Sequence, residues 1–366
     1  MQNSSTTTPK PTGGDSDSPA ARLQSLRSRW QSLSTKATLN DAASALAKTT
    51  SQILGLADEI AGLRGRGYAF HWEWEVRAAA LKNEWPAAQQ QAIRLLNTRA
   101  RGLANLSNQA ELTVRQAAGS PSKLTTLDGQ LDGLERQIEA AKKEIAAQVA
   151  PFDAQVGDLA GEMEKVDFML GVVESGVVKL FPDECGVAAF PANMVLDKKE
   201  KDEGVLLLTD KRLIFIHEEE KVLKKVLFIV TEKKTVRTLR WAAPIGAVDT
   251  LAAEDKGGFL GMGAKELLTI NFDDKAKDVP KQVIMHLTQG TENETWRALI
   301  MQVKSGDIEA QRATSPTKSE GASATAAPAR ASLPTVCPSC GAKLPPVYKG
   351  MTRMECEFCH AAIPIG

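Results

Sequence analysis

The chain is poor in aromatic residues: Phe, Trp and Tyr together fill 5% of its 366 positions, and only two of them are tyrosine. That scarcity excludes a large aromatic core, and the Ala-rich first half points to long helices instead. Net charge is also missing, because 45 Lys and Arg balance 45 Asp and Glu. No general attraction to nucleic acid or to an anionic membrane follows from this balance; only local patches could supply one. No run of eighteen apolar residues occurs, so no membrane-spanning helix is expected. Residues 1–20 are rich in Ser, Thr and Pro and lack the apolar stretch of a secretory signal.

Histidine is scarce too: His71, His217, His286 and His360 lie in four different settings. No H-E-x-x-H, no Walker motif, no nucleophile elbow and no Ser-His-Asp grouping appears, so the expectation is a protein that is not an enzyme. Of the five cysteines, four form two C-x-x-C pairs. This usage fits metal binding in a reducing compartment, hence a cytoplasmic location, better than a disulfide framework. Cys185, beside Gly186, Val187 and Ala188, reads as a buried core thiol.

What is present divides the chain into five parts. Residues 1–20 read as a disordered tail, 21–175 as helical, 176–305 as strands closed by one helix, 306–334 as a flexible Ala/Ser/Thr/Pro linker, and 335–366 as a small metal module. In the helical part, Leu39, Leu46, Ile53 and Ile60 recur every seven residues, with Ala42, Thr49, Leu56 and Leu63 three positions after each. That is an a/d seam. A second seam runs through Leu124, Leu127, Leu131, Leu134, Ile138, Ala141 and Ile145, and continues beyond Pro151 as Phe152, Leu159, Val166 and Val173. Pro151 should restart or kink the helix. Ile93, Leu96, Ala100 and Leu103 mark a further apolar face. Two readings of the seams stay open: a self-contained helical bundle, or a coiled coil that pairs with a second copy or another protein.

From Gly176 the period changes. Short strands are expected at 177–181, 186–189, 226–231, 235–241, 246–252, 266–272 and 282–288, with a tight hairpin through Gly204–Ile216 turning at Thr209-Asp210-Lys211-Arg212. Glu292 to Val303 reads as an amphipathic helix with Trp296, Leu299, Ile300 and Val303 on its apolar side. The segment Gly204–Ile216 resembles the G-x-L-x-L-T-x-x-R-L-I-F signature of GRAM domains, which are similar to PH domains, and Trp296 in the last helix is PH-like. The resemblance implies a seven-stranded bent sheet capped by a helix. It also implies a docking role, with lipid headgroups as ligand in some members and proteins in others. Anion-site candidates are Lys224, Lys225, Lys233, Lys234 and Arg237, with Lys198, Lys199, Lys201 and Arg240 nearby. Glu218, Glu219 and Glu220 lie among them in sequence, which favours a solvated face over a lipid site. The Gly-rich run 257–263 fits no phosphate-binding pattern and reads as an inter-strand loop.

Cys337-Pro338-Ser339-Cys340-Gly341 and Cys356-Glu357-Phe358-Cys359-His360 carry the sharpest chemistry. Each C-x-x-C knuckle offers two thiolates, and two knuckles complete the tetrahedral shell of one Zn²⁺. The segment resembles a zinc ribbon. The second knuckle has His360 where such ribbons commonly have Gly, which keeps His360 open as a substitute ligand for Cys359. A closed four-thiolate shell has no open position and cannot activate water, so the metal is structural. The expectation is therefore a multidomain α+β chain: an N-terminal helical coiled coil or bundle, a central GRAM/PH-like β-barrel with a C-terminal capping helix, and a small zinc ribbon. Its expected role is a non-enzymatic adaptor. Protein partners come first, with a homo-oligomer through the coiled coil as one form. Anionic membrane lipid comes second, and nucleic acid, through the ribbon, third.

Overall fold

The structure, a computed structural model, describes residues 18–196, 201–226, 229–256, 265–288, 293–313, 343–345, 353–356 and 362–364. Four helices come first: α1 (Pro19–Lys36), α2 (Asn40–Gly65), α3 (Glu73–Gln116) and α4 (Pro121–Glu174). Ser18 caps α1, its hydroxyl accepting from the Ala21 amide at 3.2 Å, with Pro19 in the first turn where a missing N–H costs nothing. α1 and α2 are separated at Leu39, whose φ of 55° is left-handed although its side chain is fully buried. Left-handed backbone costs a non-glycine residue about 1–2 kcal/mol. Burying a leucine gains about 1.5–3 kcal/mol, so the burial carries the turn.

The chain forms two compact units. The first, residues 1–56 and 78–158, is a helical bundle. Its core joins Leu26 and Leu33 of α1, Leu103, Ala110 and Val114 of α3, and the whole second seam of α4 from Leu124 to Ile145. Arg29 pairs with Asp132, 103 positions later, and Thr49 donates to Asp153, 104 positions later. A constant offset means that α1 and α2 run parallel to α4 in this unit. α3 runs against both, since the Trp30 indole donates to the Ser107 carbonyl and the Trp85 indole to Thr50. The a/d seam is thus filled by the chain's own helices. Two expectations are corrected. Ile93 is 42% exposed, and Ala92, one position before it, is the residue that packs inward. Of the two outcomes expected at Pro151, the restart does not occur, because α4 runs through it unbroken. Phe152 beside it packs edge-on against Trp85, at 5.1 Å between ring centres.

The second unit holds residues 57–77 and everything from 159 onward. Its helical end is an aromatic knot. Tyr68, Phe70 and Trp74 are buried, the Trp74 ring stacks on Tyr68 at 5.4 Å and on His71 at 5.1 Å, and the Trp74 indole donates to Glu162 at 2.7 Å. Arg64 lies over the Tyr68 and Trp74 rings and donates to the carbonyls of Tyr68 and His71.

Seven antiparallel strands follow: β1 (Gly186–Val195), β2 (Lys201–Thr209), β3 (Arg212–Val226), β4 (Ile229–Pro244), β5 (Val248–Lys256), β6 (Lys265–Phe272) and β7 (Gln282–Leu287). They form one sheet in the order β4-β3-β2-β1-β7-β6-β5. α5 (Asn293–Ser305) buries Trp296, Ile300 and Val303. Residues 204–209 of β2 and 213–216 of β3 are buried without a break. Successive strand residues face opposite sides, so both sides of these strands are covered, and their sequence runs apolar rather than alternating. The expected strand at 177–181 is absent: Val178 and Phe181 are buried, but the Lys179 carbonyl and the Phe181 amide bond side chains rather than a neighbouring strand. Residues 226–231 are not a strand of their own, since β3 ends and β4 begins within them. A short antiparallel pair, β8 (Arg353–Glu355) and β9 (Ala362–Pro364), closes the described chain.

Candidate docking site

The hairpin that carries the family-like signature is committed to structure. A Cβ on Gly204 would lie 2.0 Å from the Ile216 carbonyl oxygen, so only glycine lets β2 and β3 approach there. Thr209 ends β2, and its hydroxyl accepts from the Arg212 amide at 2.8 Å and donates to Glu184 at 2.6 Å. Arg212 opens β3 and forks onto Glu184 at 2.8 and 2.7 Å, donates to the Lys179 carbonyl, and covers the Phe181 ring at 4.1 Å. The Glu184 side chain is fully buried and also accepts from the Phe181 amide. Such a cluster holds only while every lone pair is satisfied. Lys211, in the turn, pairs with Asp183, whose carboxyl it holds below the usual carboxylate range.

The anion-site candidates lie on the ribbon made by β3 and β4. The last β2–β3 pair is Gly204 with His217, whereas β3 and β4 stay paired out to Val226 with Ile229. Beyond His217 the ribbon therefore has no β2 partner. Its register sets most of the acids at the base and most of the lysines farther out. Glu218, Glu219 and Glu220 stand opposite Arg237, Val236 and Thr235 at the base. Lys221 stands opposite Lys234, Val222 opposite Lys233, Lys224 opposite Glu232 and Lys225 opposite Val230 farther out. Arg237 is engaged, its Nε 2.6 Å from a Glu218 carboxylate oxygen. Arg240 is engaged by Asp202 at 3.1 Å, a carboxylate only 8% exposed that also meets the His217 Nδ1. Lys201 pairs with Glu203 at 2.9 Å, and Lys198 and Lys199 lie outside the described residues, as does the glycine-rich run 257–263. Arg237 and Arg240 are thus neutralised, and Lys221, Lys224, Lys225, Lys233 and Lys234 fall by register in the outer half of the ribbon. Leu239 on β4 is 50% exposed beside it.

The histidines do not converge. His71 meets Glu73, His217 meets Asp202, and His286 is held below its ordinary value of 6.5 by burial and by the positive charge of Lys265 and Lys201. Cys185 is half-buried rather than the buried core thiol expected, and its amide donates to Asp210.

Of the predicted metal ligands, Cys337, Cys340 and Cys359 lie outside the described residues, as does His360. Cys356 is described: it is 1% exposed and directly follows β8. β8 and β9 pair antiparallel, with Glu355 opposite Ala362. A buried thiol at the end of β8 is the kind of donor that a zinc knuckle needs. Among the described residues no three His, Cys, Asp or Glu side chains gather as a metal cluster.

No family model and no curated protein matches the chain. Solved structures that resemble parts of it include the C-terminal domain of an unknown protein from Leishmania infantum, at 13% identity over 36% of this chain and 95% of that one, with a TM-score of 0.21. Another is the hSac2 domain of the human phosphoinositide phosphatase Sac2, at 8% identity over 39% and 83%, TM-score 0.25. The DH/PH domain of human ARHGEF11, solved in a ternary complex with human RhoA and its inhibitor, matches at 9% identity over 79% and 91%, TM-score 0.26. Overlaps this slight transfer no function.

Proposed function

We propose that the chain is a non-enzymatic docking protein, in which a GRAM/PH-like domain presents the β3–β4 ribbon to a protein partner while the N-terminal helices serve as a self-contained arm. The observation that supports it is the ribbon itself: two strands paired past the end of β2, on an edge of the sheet, with an exposed Leu239 alongside. An unpaired edge with exposed apolar and basic residues is where strands add and surfaces dock. The signature hairpin is not available for this, because its polar groups are all engaged internally. The helical seams are spent too, on the chain's own core. A photo-crosslinker at position 239 should give one discrete adduct in the cell of origin, lost when residues 221–234 are replaced by a short turn. A diffuse background that survives the replacement would contradict the docking role.

Charge separation along the ribbon favours a second reading, in which its outer half meets an anionic lipid surface. Each basic residue near such a surface contributes about 1 kcal/mol. Vesicles containing phosphatidylserine should then bind the chain at low salt and release Lys224→Glu/Lys225→Glu. Absence of binding at low salt leaves only the protein partner.

At the C-terminus, Cys337, Cys340, Cys356 and Cys359 would hold one Zn²⁺. The ion would supply the cross-link that so small a segment needs to fold. Its docking to protein is favoured over nucleic acid, because only Lys343, Lys349 and Arg353 lie near it.

A further inference from the structure

The chain beyond α5 was expected to be linker from residue 306, yet residues 306–313 are bound to the second unit. Gly306, at a φ of 85°, ends α5, and a short 3-10 turn over Asp307–Gln311 follows, with Ile308 only 2% exposed. The Gln311 carbonyl then accepts from the Trp72 amide at 3.2 Å, and the Ala313 amide donates to the Ala69 carbonyl at 2.7 Å. These two bonds stitch the segment onto the loop between α2 and α3. Between them, Arg312 reaches three other places. Its guanidinium lies over the Phe70 ring at 4.8 Å, donates to Asp210 at 2.9 Å in the β2–β3 turn, and approaches the Cys185 sulfur at 3.6 Å just before β1. Glu309, one turn back, fixes the same guanidinium at 2.6 and 2.8 Å.

We infer that residues 306–313 are a strap with Arg312 as its pin, latching the helical loop at residues 69–72 to the β2–β3 turn and able to open as a unit while the sheet stays folded. Three facts support opening. The strap has one deeply buried apolar anchor, Ile308, against the many of the sheet. Arg312 and Glu309 are 32% and 53% exposed, so their ion pair is solvent-screened and holds weakly. Asp210 is 4% exposed while the strap is closed, and burial pushes its carboxyl up. It therefore depends on Arg312 when closed and regains water when open. Elements held by few apolar contacts open locally, well below the cost of global unfolding. The inference does not rest on the ribbon as a docking surface, and its readout is independent of any partner.

Amide hydrogen exchange on the full-length protein tests it. The amides of Trp72 and Ala313 should exchange at one shared rate, far faster than Leu206 and Phe215 in the central strands. Arg312→Ala should raise that shared rate about tenfold, the scale of a lost charge-assisted hydrogen bond, and leave Leu206 and Phe215 unchanged. Asp210→Asn, which keeps the shape of the side chain, should do the same to a lesser degree. The inference is overturned if Trp72 and Ala313 exchange as slowly as the central strands. It is equally overturned if either variant accelerates the central strands in step with them, since the strap would then be part of the sheet's own unfolding unit.

Discussion

Removing the Arg212 guanidinium would leave Glu184 fully buried beside Thr209 with no cation. Breaking one side of a buried pair costs about 3–5 kcal/mol, several times what an exposed pair is worth. Arg212→Ala should therefore lower the urea midpoint of the second unit sharply, whereas Arg297→Ala, on the exposed Arg297–Glu294 pair, should scarcely move it. Equal effects would mean that the Glu184 cluster is not the keystone it looks to be. His286 makes a prediction of the opposite kind, in pH. Its folded pKa is depressed, so the folded state binds fewer protons there than the unfolded chain. The stability that follows is present above about 6.5 and lost as pH falls through the lowered value. Chemical denaturation of His286→Gln should show a flatter loss of stability from pH 7 to 5 than the parent; an unchanged slope would refute it. The sequence made Arg212 legible as structural, because the signature places it at a hairpin turn. It did not make Glu184 legible. Nothing in a lone glutamate 28 positions away from Arg212 signals that it is the partner.

Elements were legible where the period was strong. The two seams, the Gly204–Ile216 hairpin, β6, β7 and α5 lie where spacing put them. The misses share a cause: local apolarity says that a residue is buried, not what its backbone pairs with. The run at 177–181 is buried without a ladder, and Ile93 is an exposed residue beside a buried alanine. The ribbon shows the converse. Which of its acids faces which base, Glu218 against Arg237 and Glu232 against Lys224, is set by the cross-strand register, which sequence cannot supply before the turn is placed. The strap left no trace, since residues 306–313 have the composition of a linker and are held by partners far away in sequence. α4 yields a prediction at this scale. Pro151 is exposed within the helix and lacks the amide that would donate one turn back. Proline in a helix interior costs about 3 kcal/mol, part of which the surrounding packing has absorbed. Pro151→Ala should stabilise the first unit by about 1–2 kcal/mol in thermal melts, and a loss of stability would show that the proline is needed for the packing of this unit.

Across the whole molecule, cohesion comes from within. The heptads that could have paired two chains close instead on α1, α3 and α4 of the same chain, with Leu124, Leu127, Leu131 and Leu134 each at most 2% exposed. That burial favours the self-contained bundle over a coiled coil shared between copies. The proposed adaptor role rests on the ribbon edge and on the cysteine-bearing C-terminal segment. Both also bear on stoichiometry. Native mass spectrometry of the purified full-length protein, over a range of concentrations and with and without a chelator, measures subunit count and metal content together. A single chain carrying one zinc, which the chelator strips, is the expected result. A dimer that persists on dilution, or a metal-free chain whose cysteines are reduced, would contradict it.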